Sequence, residues 1–242
     1  VSSISVQLQE NRKFEPSKGF QEQAKLSVER LQKLRELGAK DPVQYWAEAA
    51  LELQWHTPWV ETLKWEAPRA EWFVGGRLNA SVNCLDRHLE TSGKHTALLW
   101  EAEPLQKDGK PEIIEWTYQE LHERVQKCAA LLRRIGMKPG DRVAIYLPLI
   151  PDAIVSMLAC ARVGLTHTVV FGGFSGEALR DRIIDAGANL LITADYGYRK
   201  GEKLDLLKEA ERSMKGGASV PLTDVLLIAR EEEGLKPDSS LR

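Results

Sequence analysis

The residue pattern predicts an α/β protein, with a helical and irregular opening region followed by βα units of a mostly parallel sheet, incomplete at the carboxyl end. Three observations predict it. From residue 96 onward, short apolar runs alternate with stretches of helical period, the pattern of parallel strands joined by covering helices. Ser and Thr stand where those helices begin and Gly where they end, which are the residues that cap helix termini. Before residue 96 this order is missing, and helical periodicity gives way to a tract rich in Trp and Pro.

In the opening region, Phe20, Ala24, Val28, Leu31, Leu34 and Leu37 recur at helical spacing, with Gly38 as the expected stop. Asp41-Pro42 then reads as an N-cap followed by Pro at the first helical position, and Trp46, Ala49, Ala50 and Leu53 give that helix an apolar face. Residues 55–76 carry Trp55, Trp59, Trp65 and Trp72 with Pro58 and Pro68 and no sustained period. They are expected to be irregular chain whose indoles are buried against a globular body.

Residues 97–100 and 113–116 are short strand candidates joined through a polar Lys/Asp/Gly turn. Thr117-Tyr118-Gln119-Glu120 is a capping box, and Leu121, Val125, Cys128, Leu131 and Leu132 continue it as a helical stripe that Gly136 ends. Further strands are expected at 142–147, 166–171, 190–193 and 225–229. Helices are expected at 151–163, from Ser175 to Gly187, and at 204–214. The polar segment 231–242 adds no closing element, so truncation and an uncovered sheet edge near 225–229 are expected. The proposed division is a helical extension over 1–40, a second segment over 41–95, and the start of an α/β domain over 96–242.

Composition narrows the function. The 242 residues are 43% hydrophobic and 28% charged, an ordinary globular mixture. A net charge of −2 and a pI near 6.3 give no broad basic field for nucleic acid or anionic lipid. Three cysteines, Cys84, Cys128 and Cys160, are too few and too scattered for a disulfide framework. No apolar run approaches the roughly 20 residues that span a bilayer, and residues 1–12 are polar with no signal-peptide core. The expectation is a cytoplasmic protein without nucleic-acid or membrane partners, its oligomeric state open. The chain begins with Val, so a targeting segment upstream stays open.

Two motifs sit where a parallel sheet binds ligands, at the carboxyl ends of its strands. Val169-Val170-Phe171-Gly172-Gly173-Phe174-Ser175 joins a strand to a helix. Its paired glycines permit a sharp turn and close ligand approach, and Ser175 with the amides behind it offers an anion-friendly helix start. The alternative is an ordinary βα turn. Glu177 stands where a nucleophile elbow needs its second glycine, so Ser175 reads as a cap. Tyr198-Arg199-Lys200-Gly201-Glu202-Lys203 places three cations on a Gly-containing loop at the same end of the sheet. A guanidinium fork there suits phosphate, while a solvated polar loop is the plainer reading. Cys84 and His88 lie four residues apart without further ligands, so no metal site is assigned.

Several segments, in order and in register from about Asp41 to the end, resemble the acetyl-coenzyme A synthetases of the adenylate-forming enzymes. They are 72–79 (WFVGGRLN), 83–89 (NCLDRHL), 140–146 (GDRVAIY), 158–162 (LACAR), 170–179 (VFGGFSGEAL) and 191–195 (LITAD). The resemblance implies two half-reactions, in which ATP and acetate give acetyl-adenylate and pyrophosphate, and the CoA thiol then attacks the acyl carbon. Mg2+ is expected with ATP. It also implies a CoA nucleotide site at Gly172, Gly173, Arg199, Lys200, Gly201 and Glu202. Glu202 is acidic where the family often has a basic residue nearby, with Lys200 and Lys203 beside it to supply charge. The family's phosphate loop, acyl pocket, ribose-binding Asp and catalytic Lys have no counterpart in these residues. No catalytic residue is therefore assigned, and the isolated chain is expected to be inactive. Propionyl-CoA and acetoacetyl-CoA synthetases, and a stand-alone CoA- or nucleotide-binding module, remain open alternatives.

Overall fold

The computed structural model describes residues 12–103, 109–215 and 220–230. The helical extension expected at 1–40 is therefore seen from residue 12. Lys107 and Asp108 of the expected polar turn, and the segment 231–242, lie outside the described residues. The chain divides into two compact units, one of Val1–Leu53 with Val60–Val74, the other of Gln54–Trp59 with Gly75–Arg242.

The first unit holds helices α1 (Lys18–Gln23), α2 (Val28–Lys40) and α3 (Pro42–Ala50) and strands β1 (Glu61–Glu66) and β2 (Arg69–Val74). The single helix expected up to Gly38 is two helices. Ala24 is extended and Ser27 restarts the helix, its hydroxyl accepting from the Arg30 amide at 3.2 Å. Gly38 lies inside α2, which runs on to Lys40. Asp41 caps α3 through the Gln44 amide at 2.9 Å, with Pro42 at its start as expected. The tract expected to be irregular contains the antiparallel pair β1–β2, with Leu63 opposite Trp72 and Trp65 opposite Ala70. Of its tryptophans, Trp55 and Trp59 are half-buried, whereas Trp65 is 64% and Trp72 40% exposed. Alternation along a two-stranded ribbon turns both rings to one face.

The second unit contains α4 (Ala80–Cys84), a 3₁₀ turn at Asp86–His88, α5 (Leu89–Ser92), the antiparallel pair β3 (Thr96–Glu101) and β4 (Ile113–Thr117), and α6 (Tyr118–Arg134). It continues through β5 (Arg142–Leu147), α7 (Pro151–Val163), β6 (Thr166–Phe171), α8 (Gly176–Ala186), β7 (Leu190–Ala194), β8 (Tyr196–Arg199), β9 (Glu202–Asp205), α9 (Leu206–Met214) and β10 (Asp224–Ile228). Strands pair in parallel in the order β10-β7-β5-β6, so β10 and β6 are the edges among the described residues. Along β5, Val143, Ile145 and Leu147 point to one face and Ala144 and Tyr146 to the other. The first set packs on Leu121, Val125 and Leu132 of α6 and on Val155 and Ala159 of α7. The second packs on Leu179 and Ile183 of α8 and on Leu206 and Ala210 of α9. Each such fully buried aliphatic side chain contributes about 1.5–3 kcal/mol, which explains why β5 lies centrally.

The capping box of α6 forms as expected: the Thr117 hydroxyl accepts from the Glu120 amide at 3.2 Å and the Glu120 carboxylate accepts from the Thr117 amide at 2.8 Å. The buried stripe of α6 is Leu121, Val125, Ala129 and Leu132, and Leu131 turns outward. Gly164 and Gly187 close α7 and α8 in left-handed conformations, φ +77° and +60°. Among the described residues no helix is long and apolar enough to cross a membrane.

One ion cluster ties this unit together. Asp86 accepts from Arg162 Nη1 at 3.2 Å and lies 3.2 Å from His122 Nε2, and Arg162 Nη2 also reaches its second oxygen. Burial opposes the Asp86 charge, but the Arg162 guanidinium and the His122 ring outweigh it and hold the carboxyl below its usual range. A depressed carboxyl stabilises the fold above its unfolded value, and that contribution is lost as pH falls through the lower folded value. Asp86→Asn is expected to lower the unfolding free energy at pH 7 by about 1–2 kcal/mol, discounted for partial exposure. Urea melts should show the penalty shrinking below about pH 4. A penalty that stays constant to pH 2 would contradict the ionic account.

Candidate functional site

Parallel pairing brings the carboxyl ends of β5, β6, β7 and β10 to one edge of the sheet, and a cleft of about 340 Å³ opens there. That volume lies within the range of small-molecule sites. Its floor is apolar, from Leu147 to Ile150 with Leu204 and Leu206, and Trp100, Phe171 and Tyr198 line it as well. The Trp100 indole N–H donates to the Leu149 carbonyl at 2.7 Å, which pins the chain after β5 to the end of β3.

Gly172 follows β6 directly and is buried. A β-carbon there would stand 2.9 Å from the Leu147 carbonyl oxygen and 3.2 Å from the Pro148 nitrogen, so only glycine lets the turn lie against the end of β5. A β-carbon on Gly173 would meet Phe171 Cε1 at 2.7 Å and Arg199 Nη1 at 2.9 Å. The Arg199 guanidinium thus lies beside the glycine turn, its Cζ 5.0 Å from the Phe171 ring centroid. The two segments expected at the same end of the sheet lie side by side there.

The segment 198–203, read from the sequence as a loop, is a hairpin. Arg199 pairs with Glu202 and Tyr198 with Lys203, and Lys200 and Gly201 make the two-residue turn with φ +54° and +80°. Both signs suit the tight hairpin connection. The Gly201 amide donates to the Glu103 carboxylate. Of the six residues assigned from the sequence, Gly172, Gly173 and Arg199 line the cleft, while Lys200, Gly201 and Glu202 form the exposed hairpin tip outside the lining.

The other flank of the glycine turn differs from the expectation. The start of α8 is not an open anion site: the Gly176 amide donates to Glu209 Oε2 at 2.7 Å, and Arg212 Nη1 lies 2.6 Å from Glu209 Oε1. A carboxylate of the protein already satisfies that helix end. Ser175 is a cap, accepting from the Ala178 amide at 3.4 Å. Tyr146 donates to the Phe174 carbonyl at 2.7 Å, and burial together with the Glu209 charge pushes its hydroxyl up to about 12. Burial, with the Asp152 charge, likewise pushes Cys128 up to about 11, and burial pushes Cys160 up to about 12, so both remain thiols near neutrality.

Arg230, Glu101 and Glu103 line the cleft and escaped the sequence reading. Arg230 had a signal: it lies two residues beyond β10, and the strand-end rule that selected Gly172 and Arg199 selects it too. The two carboxylates had none, because β3 belongs to a separate antiparallel pair.

Comparison with known proteins places these features in a family context. A family described as AMP-binding enzyme matches residues 85–240, and one described as the acetyl-coenzyme A synthetase N-terminus matches residues 31–84. An acetyl-coenzyme A synthetase of Gemmatimonas aurantiaca is 48% identical over 236 residues, covering 97% of this chain and 34% of that protein. Acetyl-coenzyme A synthetase 2 of Pseudomonas putida is 42% identical over 92% of this chain and 34% of its own length. The Mycobacterium bovis acetyl-coenzyme A synthetase is 44% identical over 90% of this chain and 32% of its own length. The chain thus spans about a third of the length of these curated relatives.

Gly172→Ala is expected to destabilise the protein by about 1–3 kcal/mol, because its β-carbon must push backbone rather than a flexible side chain. Denaturant titration checks this, and wild-type stability would show that the turn can move away from β5.

Proposed function

This chain belongs to the AMP-binding enzyme family, and from that premise we propose that it supplies the CoA-nucleotide cleft of an acetate–CoA ligase. The curated relatives named acetyl-coenzyme A synthetase support the choice of reaction. In that reaction an acetate oxygen attacks the α-phosphorus of ATP and pyrophosphate leaves. The CoA sulfur then attacks the acyl carbon and AMP leaves. The partners are acetate, ATP and CoA, in a cytoplasmic setting, with Mg2+ accompanying ATP. No residue of this chain is assigned to the metal, to the acyl group or to a catalytic step. Residues 96–242 begin the nucleotide-handling domain, after the segments 1–40 and 41–95.

The observation that carries the reading is the placement of Arg199. Its guanidinium rests on Phe171 beside the Gly172-Gly173 turn, at the strand ends of a parallel sheet, over an apolar floor. Such a site offers a charge-assisted partner for a phosphate, close backbone for its oxygens and apolar surface for a base. Lys200, Gly201 and Glu202 contribute from the hairpin tip, where they meet the outer part of the nucleotide.

Only the second half-reaction uses CoA, which separates binding from adenylate chemistry. In the full-length ligase, Arg199→Ala is expected to raise the apparent KM for CoA about 10- to 150-fold, the equivalent of about 1.5–3 kcal/mol for a charged hydrogen bond. Acetate-dependent ATP–pyrophosphate exchange should stay near the wild-type rate. If CoA kinetics also stay at wild-type values, the CoA assignment is wrong.

A further inference from the structure

We propose that Arg230 is a second anion-binding residue of this cleft, so that the cleft holds a ligand with two separate anionic groups, one on Arg199 and one on Arg230. The proposal rests on the nucleotide reading above and extends it to a residue that neither the glycine motif nor the hairpin motif contains.

Arg230 reaches the cleft because β10 runs parallel to β7 and delivers residues 229 and 230 to the same edge. Its place is set by the buried Asp195, whose Oδ2 accepts from the Arg230 amide at 3.0 Å and whose Oδ1 accepts from the Tyr196 amide at 2.9 Å. Its guanidinium lies over the Tyr196 ring, Cζ 4.7 Å from the centroid, and Nη1 donates to the Tyr196 carbonyl at 3.4 Å. This repeats the arrangement of Arg199 on Phe171. A guanidinium held near an aromatic ring retains N–H donors suited to oxygen.

Charge balance points the same way. Among the described residues Arg162 and Arg212 are paired with carboxylates, whereas neither Arg199 nor Arg230 has a carboxylate side chain in ion-pair contact. Lys203 adds a further cation at the Tyr196 ring, with Nζ 4.0 Å from its centroid. Glu101 and Glu103 also line the cleft and oppose an anion near them, and Glu103 is turned onto the Gly201 amide. Arg230 is half-buried whereas Arg199 is exposed, and a partly buried cation without a counter-charge is costly unless a ligand supplies one.

Spacing argues for two groups. Phe171 ends β6 and Tyr196 follows β7, with β5 between them. Two interstrand steps separate the aromatic seats by about 10 Å, further than one phosphate reaches. In CoA the matching groups are the 3′-phosphate and the diphosphate.

Calorimetric titration of the intact protein tests this with CoA, dephospho-CoA and adenosine 3′,5′-bisphosphate. R230Q is expected to melt like the wild type and to bind CoA about 10- to 150-fold more weakly. With dephospho-CoA, which lacks one anionic group, the penalty of either R199A or R230Q should vanish while the other persists. Wild-type CoA affinity in R230Q overturns the proposal, and so does the disappearance of both penalties together. Should R230Q fail to melt cooperatively, R230K decides in its place: affinity below wild type sustains the proposal, and wild-type affinity overturns it. If adenosine 3′,5′-bisphosphate binds in an Arg230-dependent way but CoA does not bind, the CoA reading falls and the two-anion cleft stands. If neither binds, both fall.

Discussion

The pairing of β5 with β6 on one side and β7 on the other is the constraint on which the rest of this unit depends. Val143 to Tyr146 are within 1% of complete burial, and Leu147 at 5% is little more open. A strand buried on both faces cannot slip by one residue without turning Ala144 and Tyr146 into the space of Val143 and Ile145. The register is therefore held by packing against four helices. Because all three strands run the same way, their carboxyl ends must emerge together, and the chain that leaves them must turn within a shared space. The cleft follows from that geometry before any residue in it is specified.

What the turns contain then decides its chemistry. The chain leaving β6 lies so close to the chain leaving β5 that Gly172 has no room for a side chain. The two flanks of this turn are treated oppositely. Toward α8, Glu209 occupies the helix amide and pairs with Arg212, so charge is balanced within the protein. Toward the cleft, Arg199 and Arg230 rest on aromatic rings instead of carboxylates. Aromatic seats hold a guanidinium in place without neutralising it.

Much of the sheet was legible in the sequence because its signals are local and agree with one another. The strands at Arg142–Leu147 and Thr166–Phe171 have the bounds that their apolar runs predict, and Thr117, Ser175, Gly164 and Gly187 cap as their types require. The strands of the β3–β4 pair were legible, but the hairpins β1–β2 and β8–β9 were not. Lys200-Gly201 is a poor signature for a two-residue turn, since Lys at φ +54° is an unfavoured choice. In β1–β2 the tryptophans imitate buried anchors, while the ribbon leaves Trp65 and Trp72 exposed. For the site, the strand-end rule located Gly172, Gly173 and Arg199. The contribution of β3 to the cleft depends on tertiary placement, and the Glu209 bond to Gly176 joins residues 33 apart, which no periodicity reports.

The central claim is that the strand-end cleft holds the CoA nucleotide, and amide hydrogen exchange with and without CoA tests it most directly. Exchange is predicted to slow at residues 172–174, across the hairpin 198–203 and at Arg230, while the hairpin of β1 and β2 is unchanged. Saturating CoA that leaves those three segments exchanging as in the free protein, with protection elsewhere, would contradict the account.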